Sequence, residues 1–173
     1  MAKPKTRKID NLLNKKVNTN LDQSNVCKLQ SAEQMAITLM NNHGLLQAGW
    51  KFKWDKAISS AGCCHFSSST ITLSRHLIPL MPESEVRDII LHEIAHALVG
   101  VNHAHDVVWK AKAIEIGCSG NRCYDSNYSV KPKYKAICIN GHISYGHRRL
   151  HASCGVCSSH FNEKYLLKYQ SND

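Results

Sequence analysis

Three observations predict an α+β fold. Apolar residues recur at helical spacing in three stretches, short alternating segments lie between the first two of these, and no helical period survives beyond about residue 130. Ser31-Ala32-Glu33-Gln34 has the pattern of a capping box, is followed by Met35, Ile37, Leu39 and Met40, and meets a stop at Gly44; the spacing predicts a helix over 31–43. Trp50 to Trp54 alternates aromatic with basic, as a half-buried strand does. Ile58–Phe66 and Ser69–Leu73 read as two further strands joined by a Ser-rich turn. Pro82, with Glu83 and Glu85 beside it, opens a second helix whose Val86, Ile89, Ile90, Ile94, Ala97 and Leu98 are apolar and which ends at Gly100. Asp106 is placed to cap a third helix carrying Trp109, Ala113 and Ile116 on one side, closed by Gly117. Residues 1–25 read as a flexible basic lead-in, 26–130 as the folded body and 131–173 as a small module, with the boundary near 128–133.

With 173 residues, 43 % of them hydrophobic, the chain is long enough for one ordinary core and too apolar to be disordered throughout. No apolar run approaches the roughly 18–20 residues that span a bilayer. The basic first residues are followed by Ile9-Asp10-Asn11-Leu12 rather than an apolar stretch, so a secretory signal is not expected. A cytoplasmic, monomeric protein is the expectation. In that compartment thiols stay reduced, so 8 Cys and 11 His point to metal binding or catalysis before disulfides.

The formal charge of +9 is unevenly spread: +5 over residues 1–16, −1 over 17–130 and +5 over 131–173. A near-neutral body with basic ends fits a partner that is a polyanion, and nucleic acid is the commonest such partner.

The densest chemistry lies in the second helix, at His92-Glu93-Ile94-Ala95-His96. Residues four apart share a helix face, so the two imidazoles can converge on one metal ion, while Glu93, about 100° around the axis, reaches a water there without being a ligand. Polar side chains in so apolar a helix are costly to bury without a purpose. Catalytic zinc usually has three protein ligands and an open position. Val99 and Asn102 stand where a metzincin would carry Gly and a third His, so that pattern fails. Glu115, His103 and His105 remain as candidates for the third ligand, Glu115 lying well around its helix from Trp109.

His92-Glu93-Ile94-Ala95-His96 followed by His105-Asp106-Val107-Val108-Trp109 resembles the SprT-like (Spartan-type) zinc metalloprotease family, and Gly62-Cys63-Cys64-His65-Phe66 and Ile71-Thr72-Leu73-Ser74 resemble its strands. The likeness covers roughly residues 31–165. It implies a zincin-like domain of helices packed on a short β-sheet, with His105 as third ligand and Glu93 as the base that takes a proton from the attacking water. The departure is Asp106 where the family usually has Gly; an Asp there can cap the helix or support a ligand imidazole.

A second constellation, Cys138, His142, Cys154 and Cys157, forms two Gly-containing knuckles about a basic stretch, the arrangement a structural tetrahedral zinc requires. His147 or His151 are alternatives to His142, and Cys154 with Cys157 alone would also suit a redox dithiol. Some forty residues hardly fold without such a staple. Many SprT-like proteins end in a zinc ribbon of this form, associated with DNA binding. Arg148, Arg149, Lys131, Lys133 and Lys135, with Tyr134 and Tyr145 among them, suit phosphate contact and base stacking.

Cys118 and Cys123 read as ordinary thiols in a turn, Cys63 and Cys64 as packing residues on opposite faces of a strand. The expectation is therefore a peptidase with one catalytic and one structural Zn2+, cleaving proteins bound or crosslinked to DNA, with single-stranded or distorted DNA held by the basic ribbon. Alternatives are a nucleic-acid-binding module with a purely structural metal core, against which Glu93 speaks, or a zinc hydrolase with another substrate.

Overall fold

The computed structural model describes residues 19–122 and 128–172. The lead-in up to residue 18 and Cys123 lie outside them. Contacts divide the chain into two units that meet at Ser129 and Val130. Among the described residues no helix is long and apolar enough to cross a membrane.

The first unit runs α1 (Thr19–Asn42), β1 (Lys51–Asp55), β2 (Gly62–His65), β3 (Thr70–Ser74), α2 (Glu83–Val99) and α3 (Val107–Glu115). The fold class is α+β, as expected. Two boundaries differ. Helix α1 begins twelve residues before the capping-box pattern at Ser31, which lies inside it. No Gly or Pro stands between Thr19 and Asn42, and the mildly unfavourable Asn and Ser residues do not by themselves stop a helix. The strand expected over Ile58–Phe66 is reduced to Gly62–His65. Its first half is a loop folded over the end of β3, where Ser74 Oγ donates to the Ala57 carbonyl at 2.6 Å and Ser74 N–H to that of Ala61 at 2.8 Å. Phe66 opens a single 3-10 turn instead.

The sheet has the order β1-β3-β2. β3 is central and buried along its whole length, parallel to β1 (Phe52 beside Ile71) and antiparallel to β2 (Cys64 beside Ile71, Gly62 beside Leu73). Its Ile71 and Leu73 meet a core completed by Ala36 and Met40 of α1 and Ile90, Leu91 and Ile94 of α2, all essentially inaccessible. Each of the Ile, Leu and Met side chains among them contributes roughly 1.5–3 kcal/mol on leaving water. Buried positions almost encircle α2, so the helix is a strut through the unit rather than a surface element. It stops at Gly100, whose φ of 88° no other residue type adopts comfortably and whose N–H closes on the His96 carbonyl. Asp106 caps α3 by accepting from Val108 N–H at 3.0 Å and Trp109 N–H at 2.9 Å.

The second unit is a three-stranded antiparallel sheet, β5-β4-β6, with β4 at Tyr134–Ile137, β5 at Ile143–Gly146 and β6 at Lys168–Ser171. Ala136, Cys138 and Cys154 are its buried core residues. That is too little apolar surface to hold forty residues together.

Leu73→Ala at the centre of the sheet is expected to lower stability by roughly 2–5 kcal/mol, measured by urea unfolding. A loss below about 1 kcal/mol would place the core elsewhere.

Candidate metal centre

Helix α2 enters from Pro82 with its buried face against β2, which brings one polar cluster of that helix to the floor of a cleft of about 890 Å³. His92 and His96, one turn apart, point their Nε2 atoms at each other at 3.3 Å, and His105, from the turn before α3, closes the triangle at 3.1 Å to His96 and 2.9 Å to His92. Zinc bound by nitrogens at about 2.0–2.1 Å in tetrahedral geometry needs them about 3.3 Å apart, so the triangle fits the ion closely. Backbone groups of Asn121 and His103 favour the charged forms of His92 and His96 respectively. With Nε2 turned inward, a neutral ring protonated at Nδ1 leaves the Nε2 lone pair free for a metal.

Trp109 is the plate beneath this triangle. It is 1 % exposed; its ring lies 4.6 Å from His92, 4.6 Å from His105 and, stacked, 5.2 Å from His96. Burial lowers His92 to about 4, helped by the neighbouring imidazoles, and also holds His96 and His105 below their usual value. Three neutral rings are what a cation requires.

Glu93 is 8 % exposed and outside the triangle. Burial pushes its carboxyl up to about 7, opposed only in part by the Cys64 backbone. A carboxyl of that value exchanges protons near neutrality, as a general base must.

The remaining candidates are otherwise engaged. His103 Nδ1 is held by Asp106 Oδ2 at 2.8 Å, so Asp106 both caps α3 and removes the rival imidazole from the cluster; it supports no ligand ring. Glu115 is exposed and paired with Lys112 Nζ at 2.6 Å. Cys63 and Cys64 line the cleft, both thiols raised by burial and by Glu93, Cys64 to about 12. Cys118 is buried, its Sγ 3.7 Å from the Asp88 carbonyl.

In the second unit Cys138, His142, Cys154 and Cys157 bring four ligand atoms within 4.8 Å of one another. His142 Nδ1 lies 3.6 Å from Cys138 Sγ, 3.7 Å from Cys154 Sγ and 3.2 Å from Cys157 Sγ, and Cys138 Sγ lies 3.9 Å from Cys157 Sγ. Zinc–sulfur bonds of about 2.3 Å give tetrahedral edges of about 3.8 Å, so this set also fits, and neither His147 nor His151 belongs to it. The first knuckle turns at Gly141, φ 81°. Burial opposes the ionised thiol of Cys138, but the backbone N–H groups of Asn140 and His142 outweigh it and bring the thiol below its usual value.

Of the five cations singled out in the sequence, Lys131, Lys133, Arg148 and Arg149 are exposed, and the Arg149 guanidinium sits over the Tyr134 ring at 4.8 Å. Lys135 stands across from Tyr145, and side chains of adjacent strand residues leave opposite faces, so Lys135 and Tyr134 are on different sides of the sheet.

Residues 15–132 match the SprT-like family. The chain belongs to it. The match begins close to where α1 starts and ends before the Cys/His cluster, which fits a C-terminal zinc ribbon. No curated protein matches the chain. The backbone groups of His103 and Asn121 that act on the rings had no signal in the sequence, because no side chain is involved there.

The folded value of Glu93, about 7 against a usual 4.5, makes stability depend on pH. The folded chain keeps a proton that the unfolded chain has released, so stability falls as pH rises from about 4.5 to about 7. His92, lowered from 6.5 to about 4, acts oppositely, and its contribution is lost as pH falls through that window. In metal-free protein Glu93→Gln is expected to remove the first limb, adding on the order of 3 kcal/mol at pH 8, and to keep the acid limb. Urea unfolding from pH 4 to 8 measures both; a variant that tracks wild type throughout would contradict the buried carboxyl.

Proposed function

We propose that this SprT-like protein is a zinc-dependent endopeptidase acting on proteins bound or crosslinked to DNA, with the basic ribbon as its DNA contact. One observation carries the reading: among the described residues the His cluster has three members and a buried carboxyl beside it, facing a cleft, where the ribbon cluster has four. Four ligands close a zinc site, and three leave a position for water or substrate. A structural site has no use for Glu93, whose burial is costly.

His92, His96 and His105 would hold the ion, which supplies Lewis acidity to the peptide carbonyl and acidifies a water. Glu93, beside the cluster and outside it, takes the proton of the attacking water and returns it to the leaving amine nitrogen. Trp109, packed against all three rings, limits their reorientation during the step. In the ribbon Lys135 and the exposed Tyr145 offer phosphate contact beside a stacking surface for single-stranded bases.

The test incubates zinc-loaded protein with a DNA-binding protein, with and without single-stranded DNA. Cleavage stimulated by DNA and abolished in Glu93→Gln, with zinc retained, is the expected result. Equal cleavage by the variant would refute the mechanism, and cleavage of the DNA alone would favour a different hydrolase. Separately, Cys154→Ser is expected to reduce bound metal from about two ions per chain to about one, read by atomic absorption. No change would remove the ribbon from the metal count.

A further inference from the structure

Gly62 opens β2, one of the two edge strands of the sheet, and lies in the cleft wall opposite α2. Glycine inside a strand is unfavourable unless something demands it. Backbone conformation does not demand it here, since Gly62 is not among the glycines with positive φ. Space does. A Cβ at this position would stand 2.9 Å from Glu93 Cγ, 3.0 Å from Glu93 Oε1 and 3.0 Å from Ile89 Cγ2. The same strand acts on the carboxyl a second time through the Cys64 backbone.

We propose that Gly62 is a positioning residue for Glu93: its missing side chain is the slot in which the base lies, walled by Ile89, so that the carboxylate is directed to the cleft beside the three imidazoles. The assignment rests on Glu93 being the base, but the slot is a property of the fold and is testable without catalysis. Gly62 sets where the base stands and touches no ligand of the metal. Its replacement therefore leaves metal binding alone and misplaces the proton acceptor. A displacement of the order of 1 Å at a reacting group lowers turnover about 100-fold.

The experiment is a thermal-unfolding cycle on the full chain of wild type, Gly62→Ala, Glu93→Ala and the double variant, each with zinc content measured. A drop of several degrees from Gly62→Ala in the wild-type background that shrinks or reverses once Glu93 is also replaced is expected. An equal drop in both backgrounds, or failure of both chains carrying Gly62→Ala to fold, would overturn the slot. In the zinc-loaded protein with a protein substrate, Gly62→Ala is expected to lower kcat about 100-fold, with KM and zinc content within about twofold. Retained kcat in an otherwise active enzyme would overturn the positioning role. An inactive wild type would instead refute the peptidase reading, while the unfolding cycle still decides whether Glu93 occupies the slot.

Discussion

Three imidazole nitrogens within 3.3 Å of one another are the constraint around which the first unit is built. Lone pairs brought so close repel unless a cation or shared protons lie between them, so the arrangement persists only because the rest of the fold holds each ring. Helix α2 is buried nearly all round and cannot rotate. The Asp106 cap starts α3 in the orientation that drives Trp109 under the rings. Glu93 completes the picture from the side, in space left by a residue without a side chain. The sheet, otherwise small, has a function in this: β3 anchors the core and β2 faces the base.

The two candidate metal clusters differ in what surrounds them. In the second unit four candidate ligands from two tight turns stand where the segment lacks a hydrophobic core, and a metal bound there would supply folding energy. The first unit has an apolar core of its own, and beside it burial opposes charge on His92 and on Glu93, moving both away from their usual values.

Much of this was legible in the residues, for reasons that differ by element. α2 and α3 were readable because Pro82, Gly100, Asp106 and Gly117 punctuate them. The start of α1 was not, since polar residues without Gly or Pro neither forbid nor announce a helix, and the internal Ser31-Gln34 pair mimics a start. The pair His92 and His96 was readable from its spacing. The third member of the cluster was not, because His103 and His105 lie in the same turn; the structure groups His105 with the pair, while the Asp106 carboxylate takes His103. The basic residues of the ribbon were visible as charge, but their distribution over two faces depends on strand register, which places Tyr134 with Arg149 and Lys135 with Tyr145.

In the proposed function His92, His96 and His105 hold a zinc ion with a position left open beside Glu93. Anomalous diffraction at the zinc edge from crystals of the zinc-loaded protein would locate that ion. One peak is expected at about 2.0–2.1 Å from the three Nε2 atoms, with Glu93 outside bonding distance, and a second inside the Cys138, His142, Cys154 and Cys157 set. A His site without a peak, or an ion there closed by a fourth protein ligand, would contradict it.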